Sequence, residues 1–339
     1  MKIVVSLPEK DNEFQLLQAV EARAAGRRLG FTVEMLYADN GGVAQIQQLY
    51  KAIHSQPQPR ALVIEPIAVG GLETVLRKAA TCRIPCAVLN GTVGCMPRLQ
   101  IDFADLPLFT VGSNQMEVGR LQGEQLKVLV PRGGSVLYLH GLQGASASDE
   151  RARGLENALE GTGIRLVDLD GRWTEDNACR SVQAWMRLRS SASLRIDAVA
   201  AQNDAMARGA RRATAEAADG VTRWSAVPHL GIDGVPEVGQ RMVDRGELTA
   251  TIVMPSNTAP AIEHLAQWLA QGTRPPARVT LPAQPYPEMA QLKQRLQRKA
   301  PPGQTIGTNG ARVEGSPGGT HTGASDTRSS AVRPTFPDR

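Results

Sequence analysis

The sequence predicts an α/β protein made of two doubly wound parallel-sheet halves. Short apolar runs alternate with helical segments every ~25–30 residues. The alternation restarts near Phe109. The length of 339 residues suits two core-bearing domains at ~150 residues each.

In the first half, Ile3–Leu7 reads as a strand, with Asn12 in the loop after it. Phe14–Leu29 carries Leu16, Leu17, Val20, Ala24 and Leu29 at helical spacing and ends at Gly30, a residue suited to a helix C-terminus. Phe31–Tyr37 alternates as a strand, and Val43–Ile53 follows as a helix. Ala61–Ile64, the helix Leu72–Ala80 and the strand Ile84–Leu89 complete the half, which closes on Asn90-Gly91.

The second half runs through a strand at Phe109–Gly112, a helix at Asn114–Leu129 and a strand at Gly134–Leu139. A helix at Glu150–Leu159, a strand at Ile164–Asp168 and a helix at Glu175–Leu188 come next. Ile196–Ala201 is a short apolar run that reads as a buried parallel strand. Gln202, Asn203 and Asp204 stand at its carboxyl end, and Ala205–Ala215 reads as a helix capped by Asn203 or Asp204. Ligands of open α/β sheets bind beyond the carboxyl ends of strands. Asn203 therefore reads either as a helix cap or as a ligand group. The strand His229–Ile232, the helix Val235–Asp244, the strand Leu248–Val253 and the helix Ala259–Ala270 follow. Beyond about residue 300 the chain is rich in Gly, Ser, Thr and Pro without apolar periodicity, so 300–339 is expected to be a disordered tail.

A net charge of +5 is modest and scattered, and no basic stripe is interleaved with aromatics, which argues against a nucleic-acid partner. Cys82, Cys86, Cys95 and Cys179 form no CxxC pair, and no His lies at ligand spacing from them. No metal or other cofactor is expected. No run of ~18 apolar residues suggests a membrane span. Ile3–Leu7 is too short for the apolar region of a signal peptide. The chain as written is expected in the cytoplasm, and in the cell envelope or periplasm should residues precede Met1.

The sequence contains no GxxxxGK[ST], no GxSxG elbow and no GxGxxG after the first strand. The strand ends are instead decorated for binding. Asn12 and Phe14 follow the first strand and Asn90 the fourth. Ser146, Ser148 and Arg151 follow Val136–Leu139, and Trp173 and Asn177 follow Leu166–Asp168. Asn203 follows Ile196–Ala201, and Asp233 follows His229–Ile232. Amides, a carboxylate and a guanidinium supply donors and acceptors. Phe14 and Trp173 supply flat apolar faces. This mix suits a small polyhydroxylated ligand.

AQNDAMARGA (residues 201–210) is similar to the QND-x-MA-x-GA segment of the type I periplasmic binding proteins, the ribose/galactose sugar-binding group. LGIDGVPEVGQRMVDRGELTATI resembles that group's G-x-D-G-x-P…G-x-L-x-AT-I segment, and VGSNQMEVGRLQGEQL the helix after its hinge. The resemblance covers roughly residues 1–290. It implies two lobes joined by a three-strand hinge, with residues 1–112 and 255–276 in the first and 113–254 and 277–298 in the second. It also implies that Asn12, Phe14, Asn90, Arg151, Trp173, Asn203 and Asp233 face a sugar in the cleft. Two positions depart from the group, which usually carries a carboxylate where Asn90 stands and a Gln before the proline of TIVMP.

The expected function is non-enzymatic binding of a sugar-like or polyol-like ligand with hinge closure, by a monomer serving a sugar ABC transporter and its permease. The alternatives are a sensor that signals to a kinase or regulator and, in a different class, a sugar-modifying enzyme.

Overall fold

A computed structural model describes residues 1–299 apart from 69, 92, 189–193, 218–223 and 225. The tail expected at 300–339 lies outside the described residues. The first lobe opens with β1 (Lys2–Leu7), α1 (Glu13–Arg28), β2 (Thr32–Tyr37), α2 (Gly42–Ile53), β3 (Ala61–Ile64) and α3 (Leu72–Thr81). It continues through β4 (Cys86–Leu89), α4 (Met96–Asp102) and β5 (Leu108–Gly112). A later strand, β11 (Arg278–Thr280), joins the same sheet, whose order is β11-β5-β4-β3-β1-β2. Its pairings are all parallel.

Side-chain alternation makes this sheet two-faced. Ile3, Val5 and Leu7 pack against Ala19, Ala22 and Ala25 of α1. Val4 points the other way, into a core with Leu49 and Ile53 of α2 and Leu72 and Leu76 of α3. A parallel sheet covered on both faces needs apolar residues at every strand position, which is why β3 and β4 are fully buried.

The second lobe holds α5 (Gln115–Leu129), β6 (Gly134–His140), α6 (Ser146–Leu159), β7 (Ile164–Asp170) and α7 (Glu175–Met186). It continues with β8 (Ala198–Ala201), α8 (Asp204–Ala215) and β9 (His229–Leu230). Its parallel sheet has the order β7-β6-β8-β9. Leu137, Leu139 and Val199 face α7 and α8, while Val136, Tyr138 and Ala198 face α5 and α6. The expected helix 235–244 begins as a π-turn, Pro236–Gln240, and becomes α9 only at Arg241–Asp244. β10 (Thr251–Val253) runs alongside β9 and pairs antiparallel with β12 (Gln284–Tyr286). The helix α10 (Thr258–Gln271) packs on the first sheet through Ala261, Ile262 and Leu265. The helix α11 (Met289–Lys299) packs on the second through Leu292.

The chain thus crosses between lobes three times, near 113–114, 254–257 and 281–283. The third crossing falls later than expected. Arg278–Thr280 was expected in the second lobe but pairs with Thr110–Gly112 of the first. The open edge of β5 has unpaired backbone groups that this pairing satisfies.

Candidate functional site

The polar strand ends of both lobes meet at one cavity of about 750 Å³, open solvent at its mouth included. Asn12, Phe14, Asn90, Arg151, Trp173, Asn203 and Asp233 all line it. The first three belong to one lobe and the other four to its neighbour. Ser146 also lines it, whereas Ser148 and Asn177 do not.

In the first lobe Asn12 caps α1, its Oδ1 accepting from the backbone N–H groups of Phe14 (2.9 Å) and Gln15 (3.2 Å). The cap fixes where α1 starts and so places Phe14 in its first turn. The Phe14 ring is buried against Ile232, Val235, Ile252 and Met254. Met254, which stands where the sugar-binding group carries a Gln, is thus part of the apolar support beneath a cavity aromatic. Asn90 ends β4 with φ +50°, a left-handed conformation that Asn tolerates. Its Nδ2 donates to Glu65 at 3.3 Å.

Glu65 was not foreseen, although it ends β3 by the rule that found the others. Its carboxylate also accepts from Gln15 (3.1 Å) and Gln18 (3.0 Å), and it lines the cavity. A carboxylate, which the sugar-binding group usually carries where Asn90 stands, here reaches the same wall from the neighbouring strand. Burial pushes its pKa up; the three amides and Arg151 oppose the rise. Glu9, Gln15 and Asn40 are further lining residues the sequence left unmarked.

In the second lobe Arg151 projects from α6, which lies so close to α5 that a Cβ at Gly119 would collide with the Arg151 carbonyl. Its Nε donates to Gln115 at 2.8 Å and a terminal nitrogen donates to the Gln202 carbonyl. Its guanidinium carbon lies 5.4 Å from the centre of the Trp173 ring, a cation–π distance. Burial lowers the pKa of Arg151, with Asp233 the largest opposing charge. Trp173 follows Arg172 in the left-handed region (φ +66° and +50°). A side chain at Gly141 would occupy the space of the indole.

Asn203 is the cap of α8 and also lines the cavity. Its Oδ1 accepts from Met206 N–H at 2.8 Å, capping α8, and its Nδ2 donates to the Trp173 carbonyl at 2.9 Å while the residue lines the cavity. Gln202 and Asp204 sit beneath the surface. Gln202 accepts from Gly141 N–H and Ser148 Oγ and donates to Tyr138 Oη. Asp204 accepts from Thr251 Oγ1 (2.7 Å) and Gly234 N–H (2.8 Å). Burial pushes its pKa up to about 7.

Asp233 differs from all of these. Its backbone is anchored to the β10 segment, donating to Ile252 O (3.0 Å) and accepting from Met254 N–H (2.9 Å), at φ +109°. It is 8% exposed, yet no described residue donates a hydrogen bond to its carboxylate. Burial drives its pKa well above the ordinary carboxylate value, against the pull of Arg151.

Comparison with known proteins follows the same architecture. Residues 3–270 match the family model described as periplasmic binding protein domain. The galactofuranose-binding protein YtfQ of Escherichia coli is 29% identical over 221 residues, 63% of this chain and 66% of that one, just under two thirds of its length. The D-galactose/methyl-galactoside binding periplasmic protein MglB of Haemophilus influenzae is 27% identical over 285 residues, 80% of this chain and 82% of that one. A crystal structure of a galactofuranose binding protein superposes with a TM-score of 0.74 at 22% identity, covering 88% of this chain and 98% of that one. With a family model spanning both lobes and a two-lobed fold crossed three times by the chain, this protein belongs to the periplasmic binding protein domain family.

Proposed function

We propose that the chain binds a small sugar-like ligand in the interlobe cavity without transforming it, closes around it, and delivers it to the permease of a sugar ABC transporter. The observation that carries this is the Asp233 carboxylate, buried at the cavity wall without a donor from the described residues. A carboxylate that faces the cavity with no protein donor is available to a ligand, and ligand hydroxyls are donors that would satisfy it. Phe14 and Trp173 offer faces for ring C–H groups, and Arg151 offers charge-assisted donors. The relatives' sugar-binding names favour the same chemistry.

The moving bodies we propose are residues 1–112 with 255–280, and 113–254 with 281–299. A ligand touching Asn90 on one body and Asp233 on the other favours the closed arrangement by its differential contacts. Thermal-shift screening against monosaccharides and polyols tests the reading, because a ligand bound only by the folded state raises its melting temperature. A bound sugar recovered unchanged after prolonged incubation is the expected result. Turnover would assign an enzyme instead, and capture of a kinase rather than a permease would assign a sensor.

A further inference from the structure

Charge in the cavity does not balance. The lining holds three carboxylates, Glu9, Glu65 and Asp233, against one guanidinium, Arg151. That guanidinium is already engaged by Gln115, the Gln202 carbonyl and the Trp173 face. Arg208, outside the lining, is shared by Glu13 and Glu175. Glu9 accepts from Asn40, and Asp11, Glu13 and Asp39 add to the negative potential around it. The carboxylate of Asp233, a residue more than nine-tenths buried, accepts from no described residue.

A neutral polyol would donate hydrogen bonds to these groups and leave their charge uncompensated. An ammonium supplies three N–H donors and a positive charge together. Charge-assisted bonds are roughly twice as strong as neutral ones. Burial raises the pKa of Glu9, Glu65 and Asp233, and Arg151 opposes the rise at the latter two. Glu65 is held by three amide N–H groups, which suits a carboxylate that stays ionised beside a cation.

We propose that the cleft selects an amine-bearing sugar or polyol, with its protonated amine on Asp233 and the charges of Glu65 and Glu9 in support. The proposal rests on the sugar-binding reading and narrows it to a cationic subclass. The test is calorimetry at neutral pH on the full chain with matched sets: glucose, glucosamine and N-acetylglucosamine, then the galactose and mannose sets. The amine member of at least one set should bind tenfold or more tighter than its neutral parent, about 1.4 kcal/mol. The N-acetyl member, which carries the same substituent nitrogen without charge, should not share the gain. Asp233→Asn and Glu9→Gln should each narrow the gap. Neutral parents that bind as tightly as the amines would overturn the cationic subclass and leave the sugar reading standing, as would a gap untouched by both variants. Binding by no member of any set would overturn both.

Discussion

Arg208 of α8 donates to Glu13 of α1 at 2.7 Å, joining the two lobes. The same guanidinium also pairs with Glu175 on α7. Glu13 sits between Asn12 and Phe14, two residues of the cavity lining, so the bridge ties the start of α1 to the second lobe. If the two lobes open and close as proposed, this bridge is expected to favour the closed arrangement even without ligand.

A partly exposed pair of this kind contributes ~0.5–1 kcal/mol and weakens with salt. Small-angle scattering of the unliganded protein should therefore show expansion when salt rises from ~0.05 to ~0.5 M. Glu13→Gln should be expanded already at low salt and respond less. Identical profiles for wild type and variant would remove the latch.

Asn203→Ala should lose on two counts. Loss of the α8 cap costs ~1 kcal/mol of stability. Loss of the bond to the Trp173 carbonyl frees a cavity aromatic, so sugar affinity should fall as well. Denaturant unfolding and calorimetry on one preparation check both. A variant that keeps either property unchanged contradicts the dual role.

Asp233→Asn should separate binding from stability. Removing a buried charge without a donor should raise the melting temperature at neutral pH, since the folded state raises this group's pKa. Affinity for the ligand should drop ~10-fold or more. Arg151→Ala should lower both instead, because Gln115, Gln202 and Trp173 all lose a partner. A stability loss of ~2–3 kcal/mol is expected from the buried bonds left unmade.

Asp204 should make stability fall as pH rises. Its folded pKa of about 7 lies above the ordinary 3.8. The folded state therefore holds the proton more tightly, and the resulting stabilisation is full below pH ~4 and disappears as pH rises through ~7. Chemical denaturation of wild type and Asp204→Asn across this window should show a shallower downward slope in the variant, by roughly 2–4 kcal/mol end to end. Parallel curves would mean that Asp204 does not titrate in this range.

Much of the fold was legible because it depends on local pattern. The full apolar runs of β3 and β8 and the helical spacing of α5 mark covered parallel strands and amphipathic helices in the sequence itself. Two of the missed elements, β11 and α4, lack such a signal. The strand β11 carries one buried-side residue, Val279, between two exposed ones, and it forms because β5 presents an open edge. α4 is a seven-residue helix whose pattern is too short to read.

The sequence by itself determined the two-lobed α/β class and the chemistry placed at each strand end, Asn12, Asn90, Trp173, Asn203 and Asp233 among them. Parallel connections put all carboxyl ends on one side of a sheet, so those residues were bound to gather within each lobe. Only the tertiary structure decided which lining groups were free to receive a ligand. The Asn203 amide is occupied by the α8 cap and the Trp173 carbonyl, whereas the Asp233 carboxylate is left open. It also decided that Glu65, through contacts with residues 47 and 50 positions away in sequence, stands in the same wall as Asn90, which lacks the carboxylate usual in the sugar-binding group. Hydrogen-bond saturation and charge balance depend on neighbours brought together by folding, and spacing along the chain carries no record of them.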